Sequence, residues 1–220
     1  MRITLPLLSL ILLLSACAGP SAQSRTDYAL SMQYFQGLGV ERSDEKGLEL
    51  LRKSADAGNP DAQLMLGFLM MKGENGAPLD EKEGMKFFIA AAKQGIRDAQ
   101  YNAGLGYVRG QGVEVDYEEA LHWFTEAALQ GDSGAQYNLG VMYVNGEGTV
   151  KNALTAYAWF SIADENNYEG AKEGVAAARR AMTSDEAADV SDVIAKLKKR
   201  IVIPPAVPPI QVNTSPNQPL

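Results

Sequence analysis

The chain has 220 residues, 46% of them hydrophobic, with a formal net charge of −7 and a single cysteine. That length admits one or two ordinary domains, and the apolar fraction is enough for a packed core. The negative charge argues against nucleic acid as a partner, since phosphate binding needs a basic footprint, and the 21 glycines recur at regular spacing, which argues against a low-complexity chain.

The first predicted element stands outside the fold. Arg2 supplies a short positive region, and Leu5 to Leu14 is an apolar run broken only by Pro6 and Ser9. It is too short to span a bilayer comfortably and reads as a secretory signal. The run continues into Leu14-Ser15-Ala16-Cys17, which resembles the lipobox of bacterial lipoproteins. That resemblance implies diacylglyceryl transfer to the Cys17 thiol, cleavage after a 1–16 signal peptide, and acylation of the new amine. Several acyl chains on one residue anchor durably where a single chain does not. A lone exported cysteine also has plainer readings, an intermolecular disulfide or a leftover thiol; its place at the end of the apolar run favours lipidation. Ala18 follows, not aspartate, which resembles default sorting in Gram-negative lipoproteins. The expected location is therefore exported, on the periplasmic face of the outer membrane. Residues 17–25 are small and polar and read as the lipidated N-terminus and tether.

From Thr26 the chain repeats itself. AQYNAGLGYVRGQG begins at Ala99 and AQYNLGVMYVNGEG at Ala135, an offset of 36. Sliding the chain by 36 or 37 aligns four units, at about 26–61, 62–98, 99–134 and 135–170. Each opens with a helix carrying an apolar, a small and a bulky residue at i, i+1 and i+4: Leu30-Ser31-Tyr34, Leu66-Gly67-Met70, Ala103-Gly104-Tyr107 and Leu139-Gly140-Tyr143. A glycine pair ends that helix, as at Gly110 and Gly112. A polar residue placed to cap a second helix follows: Asp44, Asp80, Asp116 and Asn152. The second helix pairs a small residue with aromatic or aliphatic ones, as in Ala120, Trp123 and Phe124. One hairpin cannot bury its own apolar face, so the hairpins must stack. The small residues Gly67, Gly104 and Gly140 are expected to let paired backbones approach.

These residues resemble the Sel1-like repeat family, a relative of tetratricopeptide repeats. The match to its pattern is nearly complete from Ala99 to Gly131 and good from Ala135 to Asn167, where Thr149 and Asp164 depart from it. It is looser at Ala62 and loosest at Thr26, where Ser31 replaces the glycine. The resemblance implies an all-α protein, a short right-handed α-solenoid. Residues 171–201 read as a C-terminal capping helix pair, the second opened by Thr183-Ser184-Asp185-Glu186, a capping-box signature. Residues 202–220 read as a disordered proline-rich tail.

Chemistry is poorly supported. His122 is the only histidine and reads as an exposed helical side chain; a metal site wants several ligands at helical spacing. Adjacent carboxylates such as Glu118-Glu119 point apart on a helix. No phosphate loop or nucleophile elbow is present. No cofactor, metal or catalytic residue is expected, and the chain reads as a non-enzyme.

By analogy with tetratricopeptide repeats, the first helices line a concave wall. Its positions are Tyr28, Met32, Phe35 and Gln36, then Leu64, Phe68, Met71 and Lys72, then Tyr101, Leu105, Val108 and Arg109, then Tyr137, Val141, Val144 and Asn145. Phe35, Gln36, Phe68, Met71, Lys72, Tyr101, Arg109, Tyr137 and Asn145 are the candidate partner-binding residues. An alternative has their atoms consumed by neighbouring helices. The expected function is a lipid-anchored protein–protein interaction module, an adaptor or assembly factor holding a protein or peptide in the envelope. The competing expectation is a cell-envelope enzyme of β-lactamase type, or a peptidoglycan or polysaccharide binder. The mature chain lacks the second cysteine that disulfide-pinned enzymes of this repeat type would need.

Overall fold

A computed structural model describes residues 19–202. Cys17, the 1–16 segment and residues 203–220 of the proline-rich stretch lie outside the described residues. The described chain is ten α-helices: α1 (Ala22–Gln36), α2 (Asp44–Asp56), α3 (Pro60–Lys72), α4 (Glu81–Lys93), α5 (Arg97–Arg109), α6 (Tyr117–Leu129), α7 (Ser133–Asn145), α8 (Ala153–Glu165), α9 (Ala171–Ala181) and α10 (Ser184–Arg200). None of these helices is long and apolar enough to cross a membrane.

Helices α1 to α8 pair as α1·α2, α3·α4, α5·α6 and α7·α8, and successive pairs stack through α2·α3, α4·α5 and α6·α7. This is the α-solenoid that the repeat pattern implies. Loop geometry fixes the pairing. Gly37, Gly73, Gly110 and Gly146 each end a first helix in the left-handed conformation. At Gly110, φ is 68° and its N–H donates to the Gly106 carbonyl, a stop that a Cβ would strain. Asp80, Asp116 and Asn152 cap α4, α6 and α8 as expected. The cap of α2 is Ser43, whose hydroxyl accepts from the Lys46 N–H; Asp44 is the first helical residue and does not cap.

A second correction concerns the tether. Helix α1 starts at Ala22 on a Ser21 cap, so residues 22–25 are helical. Ser24 is buried, and its backbone carbonyl accepts from the Ser54 hydroxyl at 2.6 Å. A polar segment that looks solvated in sequence is thereby built into the first repeat.

The small residues of the first helices do something more specific than bring backbones together. Gly104 and Gly140 each receive the ring of the second helix's phenylalanine, Phe124 and Phe160. Direct backbone approach is seen where Gly67 faces Gly84. Gly174 of α9 seats the other side of Phe160, so α9 takes the place of a fifth first helix. The core is a string of clusters that each bridge neighbouring repeats. One holds Leu51, Leu66 and Met70, the next Met85, Phe88, Ala103 and Trp123, the next Phe124, Leu139, Trp159 and Ile162, and the last Ala156, Phe160 and Ala178.

Helix α10 packs on α8. Its Ile194, Leu197 and Ile201 lie against the Phe124, Trp159 and Ile162 cluster, Lys198 pairs with Glu165 at 2.6 Å, and the Val202 N–H reaches the Leu129 carbonyl at 2.7 Å. Helix α8 is adapted to it. Positions that are exposed on α6, His122 and Glu126, become Ala158 and Ile162 on α8, both buried.

Candidate partner-binding site

On a helix, residues at i, i+4, i+7 and i+8 share one face. All sixteen wall positions escape full burial, with the same gradient in each repeat. Tyr28, Met32 and Phe35 are half-buried and Gln36 exposed; Leu64, Phe68 and Met71 half-buried and Lys72 exposed; Tyr101, Leu105 and Val108 half-buried and Arg109 exposed. In the fourth repeat Tyr137 and Val141 are half-buried while Val144 and Asn145 are exposed. The result is an apolar stripe with a polar edge crossing four helices. At the equivalent positions of α9, Glu173 and Arg180 are exposed and charged and Ala177 and Ala181 are exposed alanines, which ends the stripe.

Packing explains the half-burial. Phe35 lies over Gly47 and Met71 against Gly84 of their own second helices. The Phe68 ring meets Phe88 edge-on at 5.0 Å between centroids. Tyr101 stands 5.9 Å from Phe124, and Tyr137 stands 5.3 Å from Phe160 and 5.1 Å from Tyr168. Part of each side chain is packed against its neighbours and part stays accessible.

Electrostatics along the stripe is mild. Burial, then the Asp61 carboxylate, raises the Tyr28 phenol above its ordinary value; burial, then Tyr168 and Asp132, does the same to Tyr101. Both phenols stay neutral hydrogen-bonding groups at physiological pH. Among the described residues Lys72 and Arg109 have no carboxylate partner, and each sits in the last turn of its helix, where a cation suits the dipole. Asn145 donates to Glu147. His122 is exposed, and no cluster of three or more potential metal ligands occurs among the described residues.

Sequence reasoning missed one set of residues, the glutamines Gln63, Gln100 and Gln136. All three are buried, and each donates to a carbonyl eight residues back, at Ala55, Ala92 and Ala128. Each accepts from an amide at the end of the next second helix: Gln94, Gln130 and Asn166. The first repeat has Asp27 in this register, held by Gln23 at 2.8 Å and Lys53 at 3.0 Å. This spine fixes the spacing of the helices that carry the stripe. Its signal was in the sequence as Ala-Gln recurring at the head of three units.

A Sel1 repeat model matches residues 25–59, 60–96, 97–132 and 133–167. Among solved structures, the chain is similar to a Sel1 repeat protein from Oxalobacter formigenes, with a TM-score of 0.63 and 33% identity over 68% of this chain and 43% of that one. It is also similar to a protective antigen present in uropathogenic Escherichia coli strains displaying an SLR fold, with a TM-score of 0.54 and 27% identity over 81% of this chain and 46% of that one. A stretch of 70 residues, 32% of this chain, is 34% identical to DAP3-binding cell death enhancer 1 of Rattus norvegicus, and the Mus musculus protein of that name matches at 33%. The chain spans 13% of the length of these curated relatives and less than half of the two solved chains.

Proposed function

The chain belongs to the Sel1 repeat family, and on that premise we propose that it is a non-enzymatic interaction module whose first-helix stripe holds a protein or peptide. The observation that carries this reading is the stripe itself: four consecutive first helices each leave aromatic or aliphatic side chains half-open beside an exposed polar residue. Apolar anchors with polar positions at the edge suit a helix or extended segment laid across the repeats. The names of the rat and mouse relatives describe binding, not a reaction. The proposal includes a lipid anchor at Cys17 and a place on the periplasmic face of the outer membrane, where tethering would raise the local concentration of the stripe. Its role there is that of an adaptor or assembly factor.

The test uses the full chain in its native envelope, with a photo-crosslinking residue at Val144. The expected result is a discrete crosslinked protein that is lost from a Lys72→Glu/Arg109→Glu variant that stays folded, its melting temperature lowered by no more than a few degrees through the helix dipoles. A crosslink that survives the double variant would remove the stripe from the reading. Phe68→Asp is unsuitable as a probe, because Phe68 also packs on Phe88. The anchor has its own readout: Cys17→Ser should move the protein from the membrane to the soluble fraction.

A further inference from the structure

Leaving aside Val202, the four most exposed large apolar side chains among the described residues are Leu38, Leu79, Val115 and Val150, at 58, 68, 52 and 84%. All four lie in loops that join the two helices of a repeat. The later loops are stacked into one edge. Gly112 presses on the Glu81 carbonyl of the preceding repeat and Gly148 on that of Tyr117, so closely that a Cβ at either would overlap the oxygen. This aligns Leu79, Val115, Tyr117 and Val150 along repeats two to four, with an open cleft of about 570 Å³ between Lys82 and the 110–114 segment.

Internal packing does not require these residues to be apolar. Leu79 and Val115 shield the helix-ending glycines Gly73 and Gly110. In the first and fourth repeats Arg42 and Lys151 shield the equivalent Gly37 and Gly146 with the stems of charged side chains. Val150 sits at the register of Glu114 and Glu41. Along the row stand Glu81, Glu114, Glu118, Glu119 and Glu147 against Lys82 and Lys151, none of them in an ion pair among the described residues, so the edge is acidic on balance.

We propose that this loop edge is a second docking surface, distinct from the stripe, for a protein segment that sets lysine or arginine beside branched apolar side chains. Apolar knobs supply contact area and the unpaired glutamates select the charge. The same glutamates repel an anionic lipid surface, which favours protein over membrane as the occupant.

The probe is a short peptide of alternating leucine and lysine, with a leucine–glutamate peptide as its counterpart, titrated into isotope-labelled full chain. The lysine peptide should shift amides of residues 79–82, 112–119 and 147–151 and bind at least about tenfold more tightly than the glutamate peptide. Leu79→Ser/Val115→Ser/Val150→Ser alters only exposed positions and should weaken binding about tenfold or more with an unchanged melting curve. Glu81→Gln/Glu114→Gln/Glu118→Gln should flatten the salt dependence. Equal affinity for the two peptides, shifts confined to other surfaces, or full binding by the serine variant would overturn the proposal. So would adsorption to phosphatidylglycerol vesicles that the serine variant abolishes.

Discussion

Gln100→Leu removes an amide whose two ends tie the second repeat to the third. The side chain is 3% exposed, donates to the Ala92 carbonyl at 3.2 Å and accepts from Gln130 Nε2 at 2.7 Å. Leucine is similar in size, so the loss is polar. Two hydrogen bonds are worth about 1 kcal/mol each, and no orphan penalty is added, because the Ala92 carbonyl keeps the Gly95 N–H at 2.9 Å and Gln130 Nε2 keeps the Gly95 carbonyl at 3.0 Å. Leucine's extra apolar area offsets part of this, which leaves about 1–2 kcal/mol. For a fold of this size that corresponds to about 2–8 °C in Tm. Urea unfolding followed by circular dichroism should show a lower midpoint at unchanged slope. Gln130→Ala alone should cost about 1 kcal/mol, and the double variant less than the sum, because one bond is removed twice. Gln100→Glu keeps the acceptor for Gln130 but points an anion at the Ala92 carbonyl in a buried site. It should be worse than leucine at neutral pH and recover on acidification, once the carboxyl can donate. A Gln100→Leu midpoint within error of wild type, or a strictly additive double variant, would refute the argument that the glutamine spine holds neighbouring repeats in register.

Leu197→Asp should cost about 2–3 kcal/mol in the same assay and promote association of the folded chain, because it sets an unpaired charge against the Phe124, Trp159 and Ile162 cluster. Gly104→Ser should cost about 1–3 kcal/mol, since a Cβ there would lie 2.7 Å from the Phe124 ring. The first repeat shows its compensation, Ser31 with Leu51 in the same registers, so Gly104→Ser/Phe124→Leu should cost less than the two singles together. Two carboxylates bend the acid limb in opposite directions. Asp27 is held below its ordinary value of 3.8 by the Gln23 hydrogen bond and then by Lys53, so its contribution is complete above 3.8 and fades as pH falls through the folded value. Asp132 is raised by burial, against the Ala135 N–H and Arg97, so the folded state favours its protonated form and stability declines as pH rises from 3.8 through the folded value. Asp27→Asn and Asp132→Asn should each delete one limb from a plot of urea midpoint against pH, and asparagine preserves the α7 cap.

The parts of this fold that could be read from the residues are those whose cause is local. A glycine that must turn left-handed, a capping oxygen three residues from its N–H, and a small residue facing an aromatic ring are all specified within one hairpin. Even there, sequence cannot separate neighbouring candidates such as Ser43 and Asp44, because both can accept the same hydrogen bond and only the backbone angle decides. The glutamine spine was opaque for another reason. Its partners lie 30 or 31 residues apart, and a glutamine in the first turn of a helix looks solvated until the neighbouring helix is in place. The stripe was legible in register but not in degree, since the open fraction of Tyr101 or Tyr137 depends on how far its ring tucks into the next core cluster.

What distinguishes this chain from any other stack of such repeats lies in the positions where its units disagree. Residues that recur at every register report only the packing that every unit shares. Asp27 replaces the glutamine where no described helix precedes to offer the carbonyl that Gln63, Gln100 and Gln136 donate to, and Ala158 with Ile162 replaces His122 with Glu126 where α10 comes to rest. Each departure marks a surface that meets something other than the next repeat. By the same logic Leu79 and Val115, apolar where Arg42 and Lys151 suffice, and Val150, bare where Glu41 and Glu114 stand, mark the proposed docking edge, whose counterpart is not among the described residues. The stripe lacks such a contrast, because its gradient is nearly the same in all four repeats. The loop edge is therefore the surface where substitution separates a partner's contribution from the fold's most cleanly.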